Sequence, residues 1–195
     1  MNPESLFAGD AWRASELHQA DVPRLQAFFA ANPEYFLTVG GEGPTPTTAQ
    51  EEFDSLPPPE FPFRQRWMLA WTDDAGAMVG MADVVADLFA KDVWHIGTFI
   101  VATSLHGCGA APLMYRQLEQ WILAGGAQWL RLGVVLGNAR AERFWARQGY
   151  AEVRRRHDIP MGLRKNTVRV LLKPLAGGTG VEYLGLVGRD RPGAP

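Results

Sequence analysis

The sequence holds one cysteine, Cys108, in 195 residues. A single thiol cannot form an internal disulfide, and a Cys-rich zinc site is excluded with it. The four histidines, His18, His95, His106 and His157, are scattered without metal-ligand spacing, so no metal is expected. No apolar run reaches the roughly 18 residues needed to cross a bilayer, which removes a membrane partner. Met1 to Glu16 has neither a basic start nor an apolar stretch, so it does not read as a secretory signal, and a cytoplasmic location is the expectation. No internal repeat at solenoid or propeller spacing is present. What remains is a chain 47% hydrophobic, which excludes wholesale disorder and is long enough to bury one real core.

Charge of one sign is scarce in each half. Residues 1–60 carry two basic groups against ten acids, and residues 131–173 carry eleven against three, so the net −2 is a cancellation between segments of −8 and +8. A nucleic-acid binder would need a basic field over more of the chain, so no nucleic-acid partner is expected.

Asp21 to Ala31 reads as a helix, with Pro23 in its first turn and Val22, Leu25, Phe28 and Phe29 on one face; Asn32-Pro33 ends it. Thr48 with Glu51 reads as a capping box opening a short helix to about Leu56. Arg66–Thr72 and Met78–Val85 form a hairpin pattern around Asp73-Asp74-Ala75-Gly76, and Val93–Ala102 is a third strand. Gly107–Leu123 and Asn138–Gln148 follow as helices, Trp129–Leu136, Glu152–Ile159 and Thr167–Leu172 as strands. The expected fold is α+β, one domain over 1–174, with a mixed central sheet of about six or seven strands and about four helices. For the Gly-rich tail, 175–195, Val181–Val187 suggests an added edge strand before a disordered end.

The most informative segment runs from Phe99, Ile100 and Val101 through His106-Gly107-Cys108-Gly109-Ala110-Ala111 into a helix. Small residues let a ligand approach the backbone, and a helix N-terminus offers unpaired N–H groups and partial positive charge, so the pattern points to a phosphate or pyrophosphate cradle. A Walker A loop would need Gly-Lys-Ser/Thr, and Lys is absent. A dinucleotide fold would need an acid ending the next strand, which instead ends Leu136-Gly137-Asn138.

With Val101 five residues before His106, then Gly107, Gly109 and Ala111 in register, the segment resembles the first motif of the GNAT N-acetyltransferase family; His106 stands where that family has Arg or Gln. Asn138, Ala141, Phe144-Trp145 and Gly149-Tyr150 match its second motif, with a helix and a strand between the two. The resemblance covers about residues 66–174, and the N-terminal helices in outline. It implies the GNAT acyl-CoA N-acyltransferase fold, acetyl-CoA as acyl donor, and direct attack by a primary amine of a small molecule, a protein N-terminus or a lysine. A non-catalytic acyl-CoA-binding or sensor module on the same fold is the alternative, and a homodimer stays open. Carried over, Phe99, Ile100 and Val101 would line the pantetheine arm, His106 to Ala111 would hold the pyrophosphate, and Asn138 would face the acetyl end with Phe144 and Trp145 beside it.

The resemblance often implies a Tyr as acid for the thiolate where this chain has Trp145, whose indole is far too weak an acid; Tyr150 or a water is the remaining candidate. His95 is the first candidate base and Asp83, on the preceding strand, orients it or acts alone; strand alternation places His95, Gly97, Phe99 and Val101 on one face. Either can equally be a satisfied strand residue. Cys108 reads as a small residue tolerated in the loop. Arg154-Arg155-Arg156-His157 reads as a solvated strand end near the cofactor or acceptor. The resemblance implies an acceptor wall at 31–65, where Tyr35, Phe36, Phe53, Phe61 and Phe63 with Glu34, Glu42, Glu51, Glu52 and Asp54 suit a cationic amine with an apolar body, or a peptide N-terminus.

Overall fold

The computed structural model describes residues 5–9 and 12–194. In chain order its elements are β1 (Ser5–Ala8), β2 (Arg13–Glu16), α1 (Val22–Ala31), α2 (Glu34–Val39), α3 (Thr48–Asp54), β3 (Gln65–Thr72), β4 (Met78–Ala86), β5 (Val93–Val101), α4 (Ala110–Ala124), β6 (Trp129–Val135), α5 (Ala139–Arg147), β7 (Ala151–Met161), β8 (Arg164–Pro174) and α6 (Gly180–Leu186). The described strands form one 8-stranded sheet, ordered β1-β2-β3-β4-β5-β6-β8-β7. β5 and β6 are parallel, joined by the α4 crossover, and the remaining neighbours are antiparallel.

Period-2 alternation assigns the sheet residues to two cores. Leu69, Trp71, Val84, Ile96 and Leu132 pack against Met114, Leu118 and Ile122 of α4. Met68, Ala70, Met81 and Ile100 face the other way, onto Leu25, Phe28 and Phe29 of α1 and Ala49 of α3. A third cluster, Val93, Trp129, Leu172, Tyr183 and Val187, seats α6 over the end of the sheet.

Three expectations change here. The short strands β1 and β2 raise the strand number above six or seven; β2 pairs Arg13–Glu16 with Thr72–Leu69 although its Arg-Ala-Ser-Glu has little β character. Val181–Val187 is not an edge strand: Thr179 accepts from the Glu182 N–H, the Glu182 carboxylate accepts from the Thr179 N–H, and this capping box starts α6. Further along the tail, Asp190 is fully buried. At α3 the expected box is not formed; Thr47 is the N-cap, and its hydroxyl donates to Glu51 at 2.6 Å.

The β4–β5 ladder carries a bulge. Asp83 opposes Thr98 and Val84 opposes Ile96, which leaves Gly97 as the extra residue. Side chains before and after Gly97 therefore exchange faces. His95 shares its face with Thr98 and Ile100, and not with Phe99 and Val101 as unbroken alternation predicts.

Candidate active site

The parallel pairing of β5 and β6 ends at Ile96 opposite Leu132. Beyond that point the strands part, and 97–101 of β5 faces 133–135 of β6 across a cleft of about 1020 Å³. Each of these segments keeps its other neighbour, β4 or β8, so the edges facing the cleft present N–H and C=O groups without a strand partner, of which the Val101 carbonyl is taken by His106. An extended polyamide can add to such an edge as a strand would.

At the far end of β5 the chain turns through Thr103–Leu105 into α4, with Gly107 at φ +81° and Gly109, the N-cap, at φ +85°. A side chain at either is strained, and no described atom lies within 4 Å of where its Cβ would stand. The loop thus presents bare backbone and a helix N-terminus to the cleft, a cradle that fits a diphosphate. Gly107, Gly109, Ala110 and Ala111 line it; Cys108 does not, and its exposed thiol donates to the Leu105 carbonyl at 2.9 Å.

His106 is engaged at both ring nitrogens. Its Nε2 sits 3.0 Å from the Val101 carbonyl and its Nδ1 2.8 Å from Nη1 of Arg140. Nε2–H therefore donates to the carbonyl, and Nδ1 accepts from the guanidinium. Arg140, Arg143 and Arg147 all line the cleft from α5. Their i, i+3, i+7 spacing, visible in the sequence, is the signal that they share a helix face. Asn138 caps α5, its side-chain oxygen accepting from Ala141 at 3.2 Å, and it also lines the cleft with Phe144 and Trp145. Phe144 stacks on Phe99 at 5.9 Å.

On the other face of β5, Asp83 accepts from Arg66 at 2.7 Å. Arg66 also donates to the carbonyls of Phe53 and Glu52, which ties α3 to the sheet. Gly97 leaves room for this carboxylate: a Cβ there would stand 2.6 Å from Asp83 Oδ2. Burial, opposed by Arg66 and reinforced by Glu52, pushes the Asp83 carboxyl up to about 6. Thr98 donates to Glu52 at 3.0 Å, and burial pushes the nearby Tyr35 phenol up to about 12. Glu34 accepts from the Thr103 hydroxyl at 2.6 Å, which holds its carboxyl below the usual range.

Three expected site residues need correction. Burial, with Arg131 adding to it, drops the His95 imidazole to about 3, too weak a base to hold an ammonium proton. Its Nδ1 lies 3.0 Å from the Arg131 carbonyl and 3.3 Å from Arg131 Nη1, so the ring is anchored to Arg131 and faces a positive charge. Tyr150 is buried away from the cleft, accepts from the Tyr115 hydroxyl at 3.1 Å, and is shifted further upward by burial, which removes it as an acid for the thiolate. Phe36 packs at 4.8 Å on Phe29 in the α1 core and does not line the cleft, whereas Glu34 and Tyr35 do.

At the closed end of the cleft, Arg156, expected near the cofactor or acceptor, is joined by two arginines that the sequence does not point to. Arg131, Arg156 and Arg189 line it together. Arg131 is held by Asp190 at 2.7 and 3.2 Å, and Arg156 lies 3.7 Å from the same carboxylate. Arg189 rests on Phe61 at 4.0 Å and Phe89 at 4.5 Å. Arg154 and Arg156 share the cleft face of β7 while Arg155 points outward to Glu152 at 2.8 Å, which alternation does foresee. Nothing in the sequence signals that the tail returns Arg189 to β7.

The acceptor side is enclosed by hydrogen bonds between distant segments. The tip of the β7–β8 hairpin docks on the end of α2, Leu163 N–H donating to Gly40 at 2.8 Å, Arg164 to Thr38 at 2.8 Å and Asn166 to Val39 at 2.8 Å. The start of α2 is joined to the end of β5, where Thr103 N–H donates to Asn32 Oδ1 at 2.7 Å.

Among the described residues no group of three or more His, Cys, Asp or Glu side chains could hold a metal ion. No described helix is long and apolar enough to cross a membrane. A sheet split at one parallel pair over a Gly-rich helix start defines an acyl-CoA-type transferase fold. The model of the acetyltransferase (GNAT) family matches residues 25–150, and the chain belongs to that family. No curated sequence relative matches it. Similar folds include the ribosomal-protein-S18-alanine N-acetyltransferase of Escherichia coli, 15% identical, TM-score 0.62, covering 87% of this chain and 97% of that one. The spermidine N-acetyltransferase of Vibrio cholerae, solved with CoA and spermine, is 13% identical with TM-score 0.63 over 85% and 96%. An acetyltransferase of Thermus thermophilus is 22% identical with TM-score 0.60 over 88% and 100%.

Proposed function

We propose that this protein is an acetyl-CoA-dependent N-acetyltransferase acting on a primary amine. The observation that carries the reading is the parting of β5 and β6 beyond Ile96–Leu132, leading straight into the bare-backbone cradle at α4. Gly107 to Ala111 would hold the diphosphate, with Arg140, Arg143 and Arg147 beside it, and the free edge from Phe99 to Val101 would hold the pantetheine arm. Bound acetyl-CoA supplies the thioester that makes the acetyl group transferable.

The chain's own residues then divide the remaining work. Asp83, raised to about 6 and set beside the Gly97 bulge, is ionised at neutral pH and takes the proton of the incoming ammonium, directly or through a water. Backbone N–H groups of the free β5 edge polarise the acyl carbonyl. Tyr35 and Thr98, bridged to Glu52, align the amine. Trp145 walls the thiol pocket, and with Tyr150 buried away from the cleft a water protonates the departing thiolate.

The test is release of free thiol from acetyl-CoA with a panel of primary amines, alongside calorimetric binding of CoA. Turnover with at least one amine and none with neutral alcohols supports the proposal. CoA binding without turnover on any amine would favour the sensor module, and absence of CoA binding would remove both.

A further inference from the structure

The three arginines at the closed end of the cleft share one carboxylate. Arg131 takes Asp190 in a two-pronged pair, and Arg156 reaches the same group only at 3.7 Å. Arg189 meets aromatic faces instead of a carboxylate among the described residues. Nε of Arg156 and Nη1 of Arg189 are buried donors without a hydrogen-bond partner among the described residues. Arg156 Nη2 donates to the Arg189 carbonyl at 3.2 Å, but buried donors on charged groups are costly to leave unmade, so these two nitrogens mark a surplus of positive charge on partly buried guanidiniums. Burial and repulsion from neighbouring arginines lower both guanidinium pKa values against the pull of Asp190, in keeping with that surplus.

The position of the cluster excludes the CoA phosphates as its partner. Arg131 pairs in register with His95, one step before the strands part, and the cradle begins after Val101. Six residues of strand separate them, roughly 20 Å. The cluster lies instead on the face of Asp83 and Thr98, where the acceptor amine is expected. Its walls include Phe61, Phe89 and Ile159, which supply apolar surface around the charges.

Building on the N-acetyltransferase reading, we infer that the acceptor is a small zwitterion whose oxyanion, a carboxylate or a phosphoryl group, is bound by Arg156 and Arg189 while its amine reaches Asp83. Arg131 and Asp190 are the support that orients Arg156. The acceptor thus meets carboxylates at one end and guanidiniums at the other, a complement that a polyamine does not satisfy.

The experiment compares L-amino acids and aminoalkylphosphonates with their decarboxylated or dephosphonylated amines, by thiol release from acetyl-CoA. The wild type should prefer the oxyanion-bearing member of a pair by tenfold or more in kcat/KM, and R156Q and R189Q should collapse that ratio at least tenfold. Carboxylates preferred over phosphonates, or the reverse, identifies the oxyanion. Equal use of the paired amines, or a preference untouched by both substitutions, overturns the inference. R189K keeps the charge without the fork and should restore part of the preference if R189Q folds poorly. Calorimetric titration of the same amino acids and phosphonates into the CoA-loaded protein reads binding without turnover. Saturable binding lost in R156Q would uphold the oxyanion site even if no amine is acetylated, and no binding would remove it.

Discussion

At the scale of single residues, a base has to be chosen between two groups on one sheet face, and their surroundings shift them in opposite directions. Asp83 rises to about 6 because burial outweighs Arg66, while His95 falls to about 3 because burial and Arg131 act together. D83N should cut kcat by about 10²–10⁴-fold and abolish the rise of rate with pH through about 6; pH–rate profiles with a saturating amine check this. H95Q should leave that limb in place. The imidazole acts on stability instead. Its folded pKa lies below its ordinary 6.5, so below that pH the unfolded chain takes a proton that the folded chain refuses, and stability falls toward pH 3. Asp83 opposes this between pH 3.8 and 6, since its raised carboxyl keeps a proton in the folded chain that it loses in the unfolded one. Urea midpoints at pH 7 and pH 5 should show H95Q losing less stability on acidification than the wild type. The sequence offers both residues as candidates without ranking them, because Coulombic and burial effects depend on Arg66 and Arg131, far away in the chain.

At the scale of elements, periodicity and capping chemistry made the central β3–α5 order legible. Helix α4 follows a loop whose glycines announce their function, and Asn138 is visible as the start of α5. What was not legible has specific causes. Four-residue strands such as β2 carry no period long enough to read and exist because β3 offers an edge. The Gly97 bulge is a pairing event between two strands, so a reading of β5 alone keeps the wrong face for His95. G97A should bring a Cβ against the Asp83 carboxylate and lower kcat about tenfold or more, with little change in CoA affinity, measured by steady-state kinetics and calorimetry. G109A forces a side chain into the left-handed region at a cost of about 1 kcal/mol and narrows the cradle, so CoA affinity should fall by about tenfold in the same titration.

Across the whole molecule, the split of charge between the N-terminal and later segments takes a form that counting does not reveal. Of the acids expected on the acceptor wall, Glu34 lines the cleft and Glu52 sits behind Thr98, while Glu42, Glu51 and Asp54 do not line it. The basic segment supplies two separate groups, arginines of α5 at the cradle and arginines of β6 and β7 at the closed end. The tail then neutralises part of the latter through Asp190. Removing that carboxylate, as in D190N, leaves Arg131 buried without its counter-charge and should cost about 3–5 kcal/mol, read as a fall in the urea midpoint. The Asp190 carboxyl is held below its ordinary value chiefly by Arg131, against burial. The stability it provides is therefore present above the ordinary carboxylate range and lost as pH falls through the folded value.

The hydrogen bonds from α2 to the hairpin tip and to the end of β5 have a consequence for traffic. With β6 and β8 they complete a girdle around the acceptor opening, fixed at both ends of α2. A girdle of this kind would act as a gauge: a slim molecule would thread it, whereas a bulky one would need the Leu163–Gly40 bond to open. Exclusion by size would then appear in the rate of arrival and not in the strength of binding, and loosening the tip would admit bulkier amines faster without holding them more tightly.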